Sequence, residues 1–283
     1  MELTCSIDEI TKLGPEQVKK FLDTDTMGAF QLVDVRQSYE YEEGHIPGAK
    51  WIPLGELEYR HQELEKEKNI ITYCRSGHRG MAASILLCGL GFKNIYNLDG
   101  GMLKWPYELV KGIPEERPEL ITGKEAMGDI LKVALMLEQG AFDFYSKARE
   151  LIKEQRAVEA FKNLAEMEAQ HIERLSQHYS QLLGKGIEPP FEELKEGSDY
   201  MEGGLKITEE LLKIGKLKFL DDLEPLEIAL EKEYMAYDFY KRMAHLVGDT
   251  QAKKLLHELA GEERSHINVL LQHLEKPRGG AHK

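Results

Sequence analysis

LEQGAFDFY (137–145) followed by EMEAQH (166–171), and KEYMAYDFY (232–240) followed by EERSH (262–266), decide the fold of the second half of this chain. Glu138 and Glu233 are 95 positions apart, as are His171 and His266. Each copy keeps one order: a Glu, then Phe-Tyr, then Leu-Ala followed by Glu-x-x-His, with Glu168 and His171 in the first and Glu263 and His266 in the second. Side chains three apart on a helix project from one face, so each Glu-x-x-His pair can grip one cation while a Glu from a neighbouring helix completes the set. A lone Glu-x-x-His on a solvated helix is ordinary surface. A repeated one calls for a shared centre.

Four Glu and two His drawn from four helices are what a carboxylate-bridged pair of iron or manganese ions needs inside a four-helix bundle. The oxygen-rich donor set disfavours a thiolate-loving metal and leaves zinc or a mixed pair as alternatives. The helical pattern covers 123–152, 155–183, 222–247 and 249–275. A long connection, 184–221, includes a short helix at 207–217 and is what a bundle needs to return from the end of its second helix and start the third in the same general direction as the second.

Residues from about 122 to 275 resemble the ferritin-like superfamily, in its rubrerythrin-related branch. The resemblance implies a dimetal site, expected to hold two iron ions with manganese or zinc as alternatives, and Glu138, Glu168, His171, Glu233, Glu263 and His266 as ligands. Rubrerythrins carry a further carboxylate three residues after the third-helix ligand, where this chain has Ala236, and usually a module with two Cys-x-x-Cys pairs, of which this sequence has none. Tyr145 and Tyr240 lie seven residues after Glu138 and Glu233, two turns along the same face. Each is either a phenol that hydrogen-bonds a metal-bound carboxylate or a core aromatic. Phe144 and Phe239 are packing residues. His178, His245, His257 and His273 lack a repeated partner and are taken as surface or incidental.

The chain has 283 residues, enough for two cores, and 42% hydrophobic content, that of a soluble globular protein. Fifty acidic against 37 basic side chains give a net charge of −13, which argues against nucleic-acid or anionic-membrane binding. No apolar run approaches the ~20 residues a membrane span needs, and the acidic start MELTCSIDEI lacks a signal core, so a cytoplasmic location is expected. Cys5, Cys74 and Cys88 are an odd number confined to the first third; no disulfide framework is expected, and a free reactive thiol is.

The pattern changes near KGIPEERPEL (111–120), where two prolines sit in a charge cluster. The expected division is an α/β domain at 1–112, a linker at 113–121 and a helical bundle at 122–277. Before the linker, FQLVDVR (30–36), AKWIPL (49–54), NIITYC (69–74) and NIYNL (94–98) read as buried strands, and 15–24, 78–90 and 102–112 as helices. Alternation of this kind indicates a parallel sheet.

CRSGHR (74–79) ends one such strand and opens a helix. Backbone N–H groups in a strand-to-helix turn, with the helix dipole, make an anion cradle that favours a thiolate at Cys74, the expected nucleophile. Arg79 and Arg75 would add charge-assisted bonds to an oxyanion, while Ser76, Gly77 and His78 form the substrate-binding loop, Gly77 permitting its tight curl. Cys88 in LLCGL reads as a small buried hydrophobe. Together with LVDVR (32–36), EGHIPGA (43–49) and LDGGMLKW (98–105), this loop resembles a single-domain rhodanese over residues 5–112.

The rhodanese resemblance implies sulfur transfer through a persulfide on Cys74, from thiosulfate or another small-molecule sulfur donor to a thiol acceptor. Four residues separate Cys74 from Arg79, one fewer than in related phosphatase loops, and the narrower ring favours sulfur over phosphate. Asp34, Arg36 and His45 are, by the same resemblance, mainly architectural. Two readings of the whole follow. In one, a sulfurtransferase is fused to a dimetal oxidoreductase that reduces peroxide or O2, or oxidises a sulfur species, fed by an external electron donor. In the other, the helical domain is a non-catalytic iron-binding or sensing module that regulates or recruits the rhodanese. Bundles of this class often pair, so a homodimer is expected.

Overall fold

The computed structural model describes residues 10–25, 28–112, 123, 125–183, 199–216 and 223–275. The chain divides into two compact units, Met1–Glu116 and Arg117–Lys283. The whole of the expected linker, 113–121, lies outside the described residues.

In the first unit five parallel strands stand in the order β1-β5-β4-β2-β3, with β1 Thr11–Leu13, β2 Phe30–Asp34, β3 Lys50–Trp51, β4 Asn69–Tyr73 and β5 Ile95–Leu98. Because side chains alternate across a strand, neighbours in sequence supply two different cores. Val33, Ile70 and Cys74 join one apolar cluster, and Leu32, Ile71 and Tyr73 join the other. Helix α1 (Pro15–Thr24) covers the second face with Val18 and Leu22, one turn apart, and helix α4 (His78–Gly89) covers the first with Ala83 and Leu87. Proline at the first position of α1 and the Gln17 side chain accepting the Gly14 N–H at 2.9 Å fix its start. Short helices α2 (Ser38–Glu43) and α3 (Leu57–Arg60) lie in the connections.

Two elements of this unit differ from the sequence expectation. Strand β1 is only three residues long, too short to show a period, and owes its place to pairing with β5 from Thr11↔Tyr96 to Leu13↔Leu98. The stretch 102–112 is not a helix: a 3-10 turn, Gly101–Lys104, ends before Pro106, and the chain then runs back so that Val110 and His45 exchange two backbone hydrogen bonds at 2.9 Å. Proline cannot donate within a helix, and the restriction it places on Trp105 stops the turn.

The second unit is built on helices α5 (Met127–Leu151), α6 (Gln155–Leu183), α8 (Glu224–Leu246) and α9 (Thr250–Glu275). Matching side chains start the second helix of each hairpin. Glu154 accepts the N–H groups of Arg156 and Ala157, and Asp249, 95 positions on, accepts that of Ala252 at 2.8 Å. Between the hairpins, the described part of the connection forms strands β6 (Tyr200–Met201) and β7 (Leu205–Lys206), joined by a 3-10 turn at Glu202–Gly204, and then helix α7 (Ile207–Lys216). Strand β6 packs on α5, and the turn packs on both α5 and α8. Gly140 makes this approach feasible, since a Cβ there would stand 2.2 Å from the Tyr200 carbonyl oxygen. Among the described residues no helix is long and apolar enough to cross a membrane.

Candidate sulfur and metal sites

Strand β4 delivers Cys74 to the bottom of the loop, where it is 1% exposed, and α4 begins four residues later. The Gly77 N–H donates to Cys74 Sγ at 3.2 Å, which Gly77 can do because it adopts φ +92°. A second glycine-dependent approach holds the loop from behind. Met102 and Leu103 N–H groups donate to the carbonyls of Cys74 and Arg75 at 2.9 Å, and Gly101, at φ +57°, has no room for a Cβ, which would lie 2.1 Å from the Cys74 carbonyl oxygen. LDGGM is therefore part of the loop's scaffold.

Arg79 donates through both terminal nitrogens to Glu40 of α2, each at 2.7 Å. This bidentate bond, together with the nearby Cys74, holds the guanidinium strongly charged and pulls Glu40 below the usual carboxylate range. Sequence reasoning missed Glu40, which sits in the acidic SYEYEE run with no feature to set it apart. Arg75, Ser76 and His78 are exposed, with Ser76 Oγ and His78 Nδ1 3.0 Å apart. Asp34 and Arg36 form a buried pair at 2.6 Å, Arg36 also donating to the Gly44 carbonyl, and His45 stacks on Tyr41 at 3.7 Å between centroids. All three brace the sheet's connections. Cys74 is a free thiol, whereas Cys88, half-buried and packed against the first apolar cluster as its sequence reading implied, is in addition disulfide-bonded, which that reading did not foresee.

In the bundle the six repeated side chains converge. Glu138, Glu168, Glu263 and His266 are fully buried, Glu233 is 1% and His171 8% exposed. The two halves mirror each other: His171 Nδ1 lies 3.0 Å from Glu138 Oε2, His266 Nδ1 lies 3.1 Å from Glu233 Oε2, and the two rings stack at 4.8 Å and 3°. His266 Nδ1 also approaches Glu168 at 3.1 Å. The tyrosines cross between repeats. Tyr145 donates to Glu233, and Tyr240 donates to Glu138 at 3.0 Å, so each phenol serves the other repeat's carboxylate. Phe144 and Phe239 pack as expected, but His257 and His273, read as surface or incidental, are buried.

Burying this many carboxylates is costly unless a cation compensates them. Burial would lower the His171 pKa, but Glu138 and Glu168 outweigh it and push it up to about 10; His266 is raised for the same reason by Glu168, Glu233 and Glu263. Glu263 is driven well above the carboxylate range by burial and by Glu233 and Glu168. Apart from the approaches of the two imidazoles, both oxygens of Glu168 and of Glu263, and His266 Nε2, are buried without a hydrogen-bond partner. Three overlapping groups, Glu168–His171–His266, Glu138–His171–Glu263 and Glu233–Glu263–His266, each bring their ligand atoms within 4.8 Å of one another. Orphaned oxygens of this kind, with two imidazoles, fit hard or borderline divalent ions such as iron. A fourth group, Glu138–Glu168–Glu202, adds a carboxylate from the connection that the repeat could not reveal, because Glu202 has no counterpart 95 positions away among the bundle ligands.

A thiol-bearing loop on a parallel sheet and a carboxylate and imidazole cluster in a helical bundle define a two-module class, a sulfurtransferase-type fold joined to an iron-type carboxylate bundle. The Rubrerythrin family model matches residues 129–274, more than half of the chain, and the chain belongs to that family. The Rhodanese-like domain model matches residues 14–107. Over this part the chain is 38% identical across 96 residues to YrkF of Bacillus subtilis (strain 168), named as a sulfur carrier protein, with 34% of this chain and 51% of YrkF covered. It is 35% identical across 100 residues to YtwF of the same organism, named as a sulfurtransferase, covering 35% and 94%. A sulfurtransferase of Allochromatium vinosum is 35% identical across 88 residues, covering 31% and 79%. The chain thus spans about half the length of YrkF and nearly all of YtwF.

Proposed function

We propose that this chain moves sulfane sulfur through a persulfide on Cys74 and that its bundle is a non-haem dimetal oxidoreductase, with Glu138, Glu168, His171, Glu233, Glu263 and His266 holding two iron ions. The observation that carries the second half is the set of orphaned oxygens on Glu168 and Glu263, buried beside two imidazoles.

In the first module the Cys74 thiolate attacks the outer sulfur of thiosulfate or a related donor. The new Cys74–sulfur bond forms as the donor's S–S bond breaks, and sulfite leaves with the electron pair. An acceptor thiolate then takes the outer sulfur and returns Cys74 to its thiolate. The Gly77 N–H spreads charge on Sγ, and Arg79, fixed by Glu40, faces the anionic donor. Names of the relatives, a sulfur carrier and two sulfurtransferases, support this half.

In the second module two bound iron ions supply one-electron couples and Lewis acidity for reducing peroxide or O2, or for oxidising a sulfur species, with electrons from an external donor. The chain's own part is to fix the ligands and hold protons. Tyr145 and Tyr240 fix Glu233 and Glu138, and the surrounding apolar residues exclude water. Iron-reconstituted full-length protein that consumes hydrogen peroxide or O2 under a reductant supports this reading. Consumption of neither, with iron bound, rejects the oxidoreductase.

A further inference from the structure

We propose that Glu202 is a seventh ligand, and fifth carboxylate, of the metal centre, supplied by the connection between the hairpins instead of by a bundle helix. The proposal rests on the dimetal reading above and adds a ligand to it.

Glu202 is 3% exposed, in the 3-10 turn that packs on α5 and α8. Its oxygen lies within 4.8 Å of ligand atoms of Glu138 and Glu168, and Glu168 has two buried oxygens with no hydrogen-bond partner. The Tyr240 hydroxyl lies 3.2 Å from Glu202 Oε1 and 3.0 Å from Glu138 Oε1, so its one proton is shared between the two carboxylates and the phenol positions both. A purely structural role in receiving that phenol would be met by a neutral glutamine. A buried carboxylate beside two others is instead repelled by them unless a cation lies among them.

The fold makes room for Glu202 and holds it there. Three residues after Glu138 and Glu233 stand Ala141 and Ala236, 2% and 1% exposed, so neither helix places a carboxylate at that level. Gly140 lets the Tyr200 backbone seat on α5, while Gly203, at φ +69°, turns the chain against Met235 of α8. Gly140 and Met235 are the same position in the two repeats. The repeat is thus broken where the turn enters, a small residue on one side and a supporting one on the other.

Anaerobic titration of the metal-free full-length protein with Co(II), read by its visible d–d bands and by metal bound per chain, tests the assignment. Wild type should take two Co(II). Glu202→Gln should weaken one binding step by about tenfold or more and alter the saturated bands, as a neutral amide replaces an anionic ligand. Gly140→Ala, which leaves every ligand in place but lifts the turn through contact with Tyr200, should weaken the same step. Saturated bands and affinities equal to wild type, in Glu202→Gln or, should that variant fold poorly, in Gly140→Ala, overturn the proposal. Failure of the dimetal reading itself is a different result, a wild type that takes up no Co(II).

Discussion

Cys74 and the pair Arg79–Glu40 concentrate the chemistry of the first unit into three side chains. Cys74→Ser should abolish sulfur transfer from thiosulfate and remove the sulfur-heavier species seen by intact mass after donor treatment, with metal content unchanged. Retained transfer would reject Cys74 as nucleophile. Glu40→Gln leaves Arg79 without its bidentate partner, and thiosulfate KM should rise several-fold while the fold persists. The pH sign follows from Glu40. Its pKa is lowered in the folded protein, so its contribution to stability is fully present above the unfolded value of 4.5 and is lost as pH falls through the lower folded value. Acid titration of Tm should therefore separate wild type from Glu40→Gln above that window and bring them together below it. Cys74 and Arg79 were legible because a strand-to-helix junction with that spacing has few other uses. Glu40 was not, because its partner lies 39 residues away and neither composition nor period marks it.

Elements with a long period were read closely, and those fixed by tertiary contact were not. The four long helices lie within a few residues of their expected bounds, since about six to eight turns of an apolar face leave a durable pattern. Strand β1 and helices α2 and α3 are too short to carry one, and the reading of 102–112 gave too little weight to Pro106. The 3-10 turn that replaced it is an element with a job, since Gly101 brings it against the Cys74 carbonyl. Gly101→Ala forces a side chain into φ +57° and into that carbonyl, at a cost of roughly 1–3 kcal/mol. Thiosulfate kcat should fall at least tenfold while the helical signal by circular dichroism stays, and unchanged kcat would mean the loop does not depend on this support. In the bundle the repeat exposed six converging side chains at once, whereas the crossing of Tyr145 and Tyr240 to the opposite repeats is set by how the hairpins interlock, which spacing along one helix cannot encode.

At the scale of the whole molecule, the two compact units keep separate apolar clusters, and among the described residues every group that could hold a metal ion belongs to the second unit. Metal bound to the native bundle and absent from the unfolded chain stabilises that unit alone, by about 2.7 kcal/mol when free metal is a hundredfold above Kd. Calorimetry of the full chain should then show one transition that moves up on adding Fe(II) without oxygen and another that stays put. His266→Ala should remove the metal-dependent shift, because it deletes an imidazole that three buried carboxylates face, while thiosulfate transfer stays near wild type. Cys74→Ser should leave both transitions and the shift in place. A single transition that moves as a whole, or loss of sulfur transfer in His266→Ala, would mean that the units unfold and work as one, and the two-module assignment would then give way to a coupled enzyme in which the state of the metal centre sets the activity of Cys74.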